Sequence, residues 1–240
     1  MLLSAVMEDY LKTIYQLQAE TGERVKTSAI AEWQDVTAPT VSSMLEKLDE
    51  RGLVDRKKYG GVKLTPEGEQ VALEVIRHHR LLEAYLAEQL NYPWSEVHDE
   101  ACALEHHISE EFEERMVEVL GDPSTDPHGD PIPSASLERP ADPDTDPILT
   151  FEADDVVVVR RVDDRDLEVL EYLAERGVSP GTRLIIEEVA PFGMISVTTD
   201  FGEKVSLPER VAKGVHVTSI SPDIQAASSQ SDTANQSFKS

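Results

Sequence analysis

The spacing of apolar residues predicts a run of helices followed by a run of strands. Val6, Tyr10, Ile14 and Leu17 recur at three- and four-residue intervals, which places them on one face of a helix over residues 4–21. Thr21–Gly22 ends it, and Ser28 to Val36 has the length of a second, short helix. Thr37 suits the N-cap of a third, with Pro39 in its first turn, Val41, Leu45 and Leu48 facing a core, and Gly52 as its stop. Two short helices with a tight break between them form a helix-turn-helix. The stretch L-V-D-R-K-K-Y-G-G-V-K-L-T then reads as two short strands joined at Gly60–Gly61, which adds a wing.

A long helix over residues 66–90 starts at Pro66, and after the loop N-Y-P-W-S-E-V another helix runs to about Ile108. S-E-E-F-E-E-R-M-V-E-V-L is amphipathic; its stripe of Phe112, Met116, Val117 and Leu120 can pack inside the domain or against a partner subunit. Residues 121–147 hold seven prolines and no helix or strand period, which marks an extended connection. Beyond it V-V-V-V-R-R-V, T-R-L-I-I-E-E-V, G-M-I-S-V-T-T and H-V-T-S-I are strand-like, and D-L-E-V-L-E-Y-L-A-E-R-G is a helix closed by Gly177. The expected fold class is α+β: a winged helix-turn-helix at 1–65, a helical domain at 66–140, a linker at 141–147, a small SH3-like β-barrel at 148–220, and a polar, disordered tail at 221–240.

Composition adds constraints. No apolar run approaches the roughly 20 residues that span a bilayer. The start, M-L-L-S-A-V-M-E-D-Y, has no basic n-region and turns acidic at once, unlike a signal peptide. A single cysteine suits a reducing compartment, so a cytoplasmic protein with no membrane partner is expected. The net charge of −25 is unevenly spread: residues 1–70 hold 9 Lys+Arg and 12 Asp+Glu, a net of −3, and residues 71–240 hold 13 and 35, a net of −22. The acid load therefore spares the segment where a DNA-binding surface is expected. Over the remainder it resembles proteins of a high-salt cytoplasm such as that of a halophilic archaeon.

The expected DNA surface is the third helix and the wing. Thr37, Pro39, Thr40, Ser42 and Ser43 are small enough to approach base edges and phosphates, with Thr27 on the preceding helix. Lys47, Arg51, Arg56, Lys57, Lys58 and Lys63 put cations near the backbone of double-stranded DNA.

A different chemistry is concentrated in H-D-E-A-C-A-L-E-H-H, residues 98–107. It places Cys102, Glu105 and His106 on one helix face, with His98 one turn earlier; His79 and Glu83, four apart, form a second pair. Five of the seven histidines lie between His78 and His107. Imidazole, thiolate and carboxylate together are a ligand set for first-row transition metals. The bland reading, a solvated acidic helix that happens to carry histidines, suits each residue singly better than it suits the joint pattern. His128 reads as a loop histidine.

With these parts placed, the chain resembles the DtxR family of metal-dependent transcriptional repressors from about residue 4 to 220. The motifs that carry this are M-E-D-Y-L-K-T-I-Y, A-P-T-V-S, H-H-R-L-L-E, V-H-D-E-A-C-A-L-E-H and P-H-G-D-P-I-P. The resemblance implies a homodimer in which residues 66–140 carry dimerisation and metal binding, and two ions per subunit, Fe(II) or Mn(II). It implies a primary site of Asp9, Cys102, Glu105 and His106 and a second of His79, Glu83 and His98, to which Asp163 or Asp164 can add an acid. Iron-type members often have methionine where this chain has Asp9; manganese-type members have an acid where it has Lys12 and another where it has Cys102. The chain departs from both patterns, so the metal stays open: Asp9 leans to Mn(II), Cys102 to Fe(II). The expected function is repression of metal-homeostasis genes at a palindromic operator, with metal favouring the DNA-competent state and clustered carboxylates loosening the hinge without it. The alternatives are a metalloenzyme or a metal-buffering protein. The chain has no His-Glu-x-x-His motif, phosphate-binding glycine loop or serine-nucleophile signature, and a buffer would not need a winged helix.

Overall fold

A computed structural model describes residues 3–57, 60–141, 144–191 and 193–220. The expected tail at 221–240 and Lys58 lie outside the described residues. The chain forms two compact units: one runs to Asp126 and resumes at Pro131, and the other takes Pro127–Asp130 and the chain from 144 onward.

The first unit begins with α1 (Ala5–Thr21), α2 (Thr27–Trp33) and α3 (Ala38–Glu50), followed by the hairpin β1 (Val54–Lys57) and β2 (Gly61–Leu64). The buried face of α1 is Met7, Tyr10, Leu11, Ile14 and Leu17. Val6 is 52% exposed, so the stripe is rotated toward Met7 and Leu11 relative to the expected one. That face joins Ile30, Val41, Leu45, Leu48, Val54 and Val62 in one core, which fixes α3 and the wing against α1. Val25 exchanges two backbone hydrogen bonds with Val62, at 2.8 and 2.9 Å, and Arg24 donates to the Asp55 carbonyl and carboxylate. The wing is thus held by the loop before α2 as well as by its own turn.

The remaining helices of this unit are α4 (Pro66–Leu90), α5 (Val97–Leu104) and α6 (Glu110–Leu120). Thr65 caps α4, accepting from the Gly68 amide at 3.1 Å, and Asn91 closes it in the left-handed region at φ 58°. A Cβ on Gly68 would lie 1.9 Å from the Leu53 carbonyl oxygen, which already accepts from the Thr65 amide. Backbone cannot yield as a side-chain tip can. We expect Gly68→Ala to destabilise this unit by about 3 kcal/mol despite the better helix propensity of alanine, as urea unfolding of the full chain will measure. Leu81, Leu82, Leu86, Val97, Ala101, Met116 and Ile132 make a second core. Of the α6 stripe, expected to pack inside the domain or against a partner subunit, Met116 is 1% exposed and Phe112 42% exposed.

The proline-rich stretch is more ordered than a free connection. Arg77 and Arg80 donate to the carbonyls of Pro133 and Pro131 at 2.6 and 2.5 Å, and Ile132 enters the second core. Arginine donors on α4 stand in for the backbone partners that a proline-rich strand cannot supply.

The second unit is a six-stranded antiparallel sheet: β3 (Asp146–Pro147), β4 (Val156–Val162), β5 (Arg183–Val189), β6 (Ile195–Thr199), β7 (Lys204–Leu207) and β8 (Val215–Ser219), ordered β3-β8-β4-β5-β6-β7. Helices α7 (Leu167–Ala174) and α8 (Glu209–Ala212) join the strands. Its core holds Val157, Val159, Leu170, Leu173, Leu184, Ile186, Val197 and Val217. Among the described residues the ladder is open, not the closed barrel expected: there β3 pairs only with β8 and β7 only with β6. The β3 edge is two residues long and ends in a proline, which has no amide to extend a ladder. His128, expected as a loop histidine, lies in a turn and is fully buried there. Its carbonyl accepts from the Val162 amide at 2.9 Å beside the bulge in β4, and Gly129, at φ 91°, passes against Arg160 where a Cβ would meet the carbonyl oxygen at 1.9 Å. No helix among the described residues is long and apolar enough to cross a membrane.

Candidate metal centre and DNA-reading surface

Three helices of the first unit supply five of the expected ligands. Asp9 is on α1, His79 and Glu83 are one turn apart on α4, and His98 and Cys102 are one turn apart on α5. Glu105 and His106 were expected on the α5 face, but α5 ends at Leu104. The chain tightens there, with the His107 amide donating to the Leu104 carbonyl three residues back, so the two residues lie in a turn. This separates them from Cys102. Asp9, Glu105 and His106 converge as one group of donor atoms, and Cys102 converges with His79 and His98 as another.

In the first group His106 Nε2 lies 2.9 Å from an Asp9 oxygen and Nδ1 2.7 Å from a Glu8 oxygen, within hydrogen-bond distance of both carboxylates. Glu105 is 2% exposed and accepts at both carboxylate oxygens from Lys12, at 3.1 and 2.8 Å, and from His79 Nδ1 at 2.5 Å. Glu8 is a ligand-flanking group that motif reasoning missed, and Lys12 was noted only as standing where manganese-type members have an acid. Their i, i+4 spacing, with Asp9 between, was the available signal. Burial pushes Asp9 above the usual carboxylate range, and His106 only partly offsets this. Burial also pushes Glu105 up, but the His79 hydrogen bond and the Lys12 charge outweigh it and hold this carboxyl low.

In the second group Cys102 Sγ is 3.6 Å from His98 Nε2 and 3.9 Å from His79 Nδ1. His98 Nδ1 donates to Glu83 at 3.3 Å. His79 Nε2 lies 3.0 Å from a Glu83 oxygen, yet it is buried and makes no hydrogen bond. A buried imidazole nitrogen aimed beside a carboxylate without bonding it is the arrangement a cation would complete, and the donor types fit one. Burial alone would lower the His79 pKa, but Glu83 and the Cys102 and Glu105 contacts raise it well above its ordinary value. Burial raises Cys102, but the two histidines overcome it and bring the thiol down from 9.0 to about 6. In chelator-treated protein, alkylation of Cys102 should therefore show a midpoint near pH 6 (about 6), moving toward 9.0 in denaturant. The same shift adds stability that is complete above pH 9.0 and lost as pH falls through about 6. Asp163 and Asp164 belong to the second unit, just after β4; Asp163 accepts from Arg165 at 2.8 and 2.5 Å.

On the reading surface Thr37, Pro39, Thr40, Ser43, Lys47, Arg51, Arg56 and Lys57 are exposed, while Thr27 and Ser42 are half-buried. Thr37 Oγ1 lies 2.9 Å from Thr40 Oγ1 and makes no hydrogen bond to the helix amides. A groove of about 420 Å³ between α3 and the wing is lined by Lys26, Thr27, Ser42, Leu45, Arg56, Lys57 and Gly61. Gln34 ties α2 back to α1, donating to Thr13 Oγ1 at 2.5 Å and to the Asp9 carbonyl at 3.4 Å.

Three family models cover the chain: the iron-dependent repressor N-terminal DNA-binding domain over residues 2–62, the iron-dependent repressor metal-binding and dimerisation domain over 65–134, and the FeoA domain over 147–219. The iron-dependent repressor IdeR of Mycobacterium tuberculosis is 34% identical over 224 residues, covering 89% of this chain and 96% of the relative. The diphtheria toxin repressor of Corynebacterium glutamicum is 34% identical over 223 residues, with the same coverage. A solved manganese-dependent transcriptional repressor in complex with manganese superposes with a TM-score of 0.81 at 40% identity, over 89% of this chain and all of that one. IdeR of T. acidophilum superposes at 0.73 with 28% identity, over 91% of this chain and all of that one. These relatives are transcriptional repressors, not enzymes, and the chain belongs to their family, the DtxR/IdeR iron- and manganese-dependent transcriptional repressors, with a DNA-binding domain, a metal-binding and dimerisation domain and a FeoA domain.

Proposed function

We propose that the chain acts in the cytoplasm as a homodimer that binds a palindromic operator when two Fe(II) or Mn(II) ions occupy each subunit. Residues 1–65 read DNA, 66–140 bind metal and dimerise, 141–147 link, and 148–220 form the accessory domain. The ligands are Asp9, Cys102, Glu105 and His106 at the primary site and His79, Glu83 and His98 at the second. Cys102 stands between the two groups, near His79 and His98 and joined to Glu105 through His79. The observation that supports this reading best is the meeting of His106 with Asp9 and Glu8: α1 carries the DNA-reading core on one face and these carboxylates on another. A metal there supplies a shared charge between carboxylates and imidazole. The residues fix the angle of α1 to the metal-binding segment, and hence the spacing of the two α3 helices in a dimer. Exposed Phe112, Val119, Leu90 and Tyr92 provide apolar surface for a partner subunit.

The test is an anaerobic titration of Fe(II) and of Mn(II) against binding to palindromic DNA, with bound metal counted. Two ions per subunit and metal-gated binding are expected. A plateau at one ion removes the second site, and binding indifferent to metal overturns the assignment of these residues.

A further inference from the structure

The charge that Glu105 meets in this structure comes from the chain itself. Lys12 Nζ contacts both Glu105 oxygens, at 3.1 and 2.8 Å. The Lys12 side chain is 12% exposed and the Glu105 side chain 1%, so water and salt screen the pair weakly. Lys12 lies on α1 one turn after Glu8 and three residues after Asp9, and therefore faces the same group. Around His106, Glu8, Asp9 and Glu105 bring three carboxylates, and Lys12 brings one ammonium, which sits on Glu105.

We propose that the Lys12 ammonium is a tethered competitor for the divalent ion at Glu105, and that this ion pair sets the metal threshold of the chain. The inference rests on the primary-site reading above. An ion reaching Asp9, Glu105 and His106 displaces the ammonium from its carboxylate. The work is Coulombic, so it applies to Mn(II), Fe(II) and Zn(II) alike and shifts affinity without changing their order. The same pair ties α1 to the metal-binding segment, so the carboxylates there are bridged by Lys12 and His106 and need not drive the hinge apart.

The test measures Mn(II) affinity of the full-length protein from the electron paramagnetic resonance signal of the free aqua ion, with no DNA present. Lys12→Gln and Lys12→Met remove the charge, and the methionine keeps an apolar stem of similar reach. Lys12→Arg keeps the charge. Both neutral variants should tighten Mn(II) binding at least about tenfold, with a similar gain for Zn(II) by competition, and Lys12→Arg should stay near the parent. A smaller gain in the neutral variants overturns the proposal. If they fail to fold by circular dichroism, the parent protein decides it: acetylation of Lys12, read by mass spectrometry, should speed up when Mn(II) saturates, and unchanged labelling overturns the idea. His106→Ala separates the two readings. Weaker Mn(II) binding in His106→Ala with no gain in Lys12→Gln sinks only the competitor, whereas unchanged binding in His106→Ala sinks the site and the competitor together.

Discussion

His106→Ala should lower metal-dependent operator affinity by roughly two orders of magnitude or more while the protein stays folded. The imidazole touches two carboxylates of α1, Glu8 and Asp9. Its removal deletes a proposed ligand and cuts a link between α1 and the metal-binding segment. Glu8 and Asp9 are partly exposed, with side chains at 22% and 40%, so water can solvate what the ring leaves behind. Glu105→Ala should abolish the response as well, but less cleanly. It strands Lys12 and His79 next to a buried gap, and breaking a buried pair from one side costs about 3–5 kcal/mol. We therefore expect Glu105→Ala to melt earlier than His106→Ala in the metal-free protein. The measurement is operator binding by anisotropy across a metal titration, beside thermal melts. A His106→Ala protein with unaltered metal dependence would show that the primary-site assignment is wrong.

The second expectation concerns salt. Four cations per subunit at the phosphates, Lys47, Arg51, Lys57 and Lys58, would give an ordinary dimer a slope of roughly −7 in log affinity against log salt. Here the chain carries a net of −22 beyond residue 70, which a dimer doubles. At low salt that field opposes the approach of DNA. At about 1 M salt the Debye length is roughly 3 Å, which screens the repulsion while close contacts to phosphate persist better. The metal-saturated protein should thus lose little affinity between low and molar salt, or gain some. A slope near −7 would defeat this and would also weaken the case for a high-salt cytoplasm.

The helices of the reading domain were legible because their period is local. Val41, Leu45 and Leu48 on α3, and Tyr10, Ile14 and Leu17 on α1, are buried as their spacing requires. Gly52 ends α3 at the expected place, at φ 73°, and Thr65 caps α4 just before the expected start at Pro66. The ligand residue types were also legible, since thiol, imidazole and carboxylate cluster in ten positions. Their grouping was not. Helical spacing puts Cys102, Glu105 and His106 on one face, but α5 stops at Leu104, and a tightened turn directs Glu105 and His106 toward α1.

What the sequence determined by itself, then, is each element and the chemistry it carries, because periodicity, capping and side-chain type act over one or two turns. Only the tertiary structure decided which of those groups meet. Lys12 reaches Glu105 across 93 positions and Glu8 reaches His106 across 98. The Pro131–Pro133 backbone lies on Arg77 and Arg80, and the last sheet stays open at a two-residue edge. Such pairings are settled by the burial of charge and by the need of every backbone donor and acceptor for a partner, and no local pattern records which distant residue will answer it.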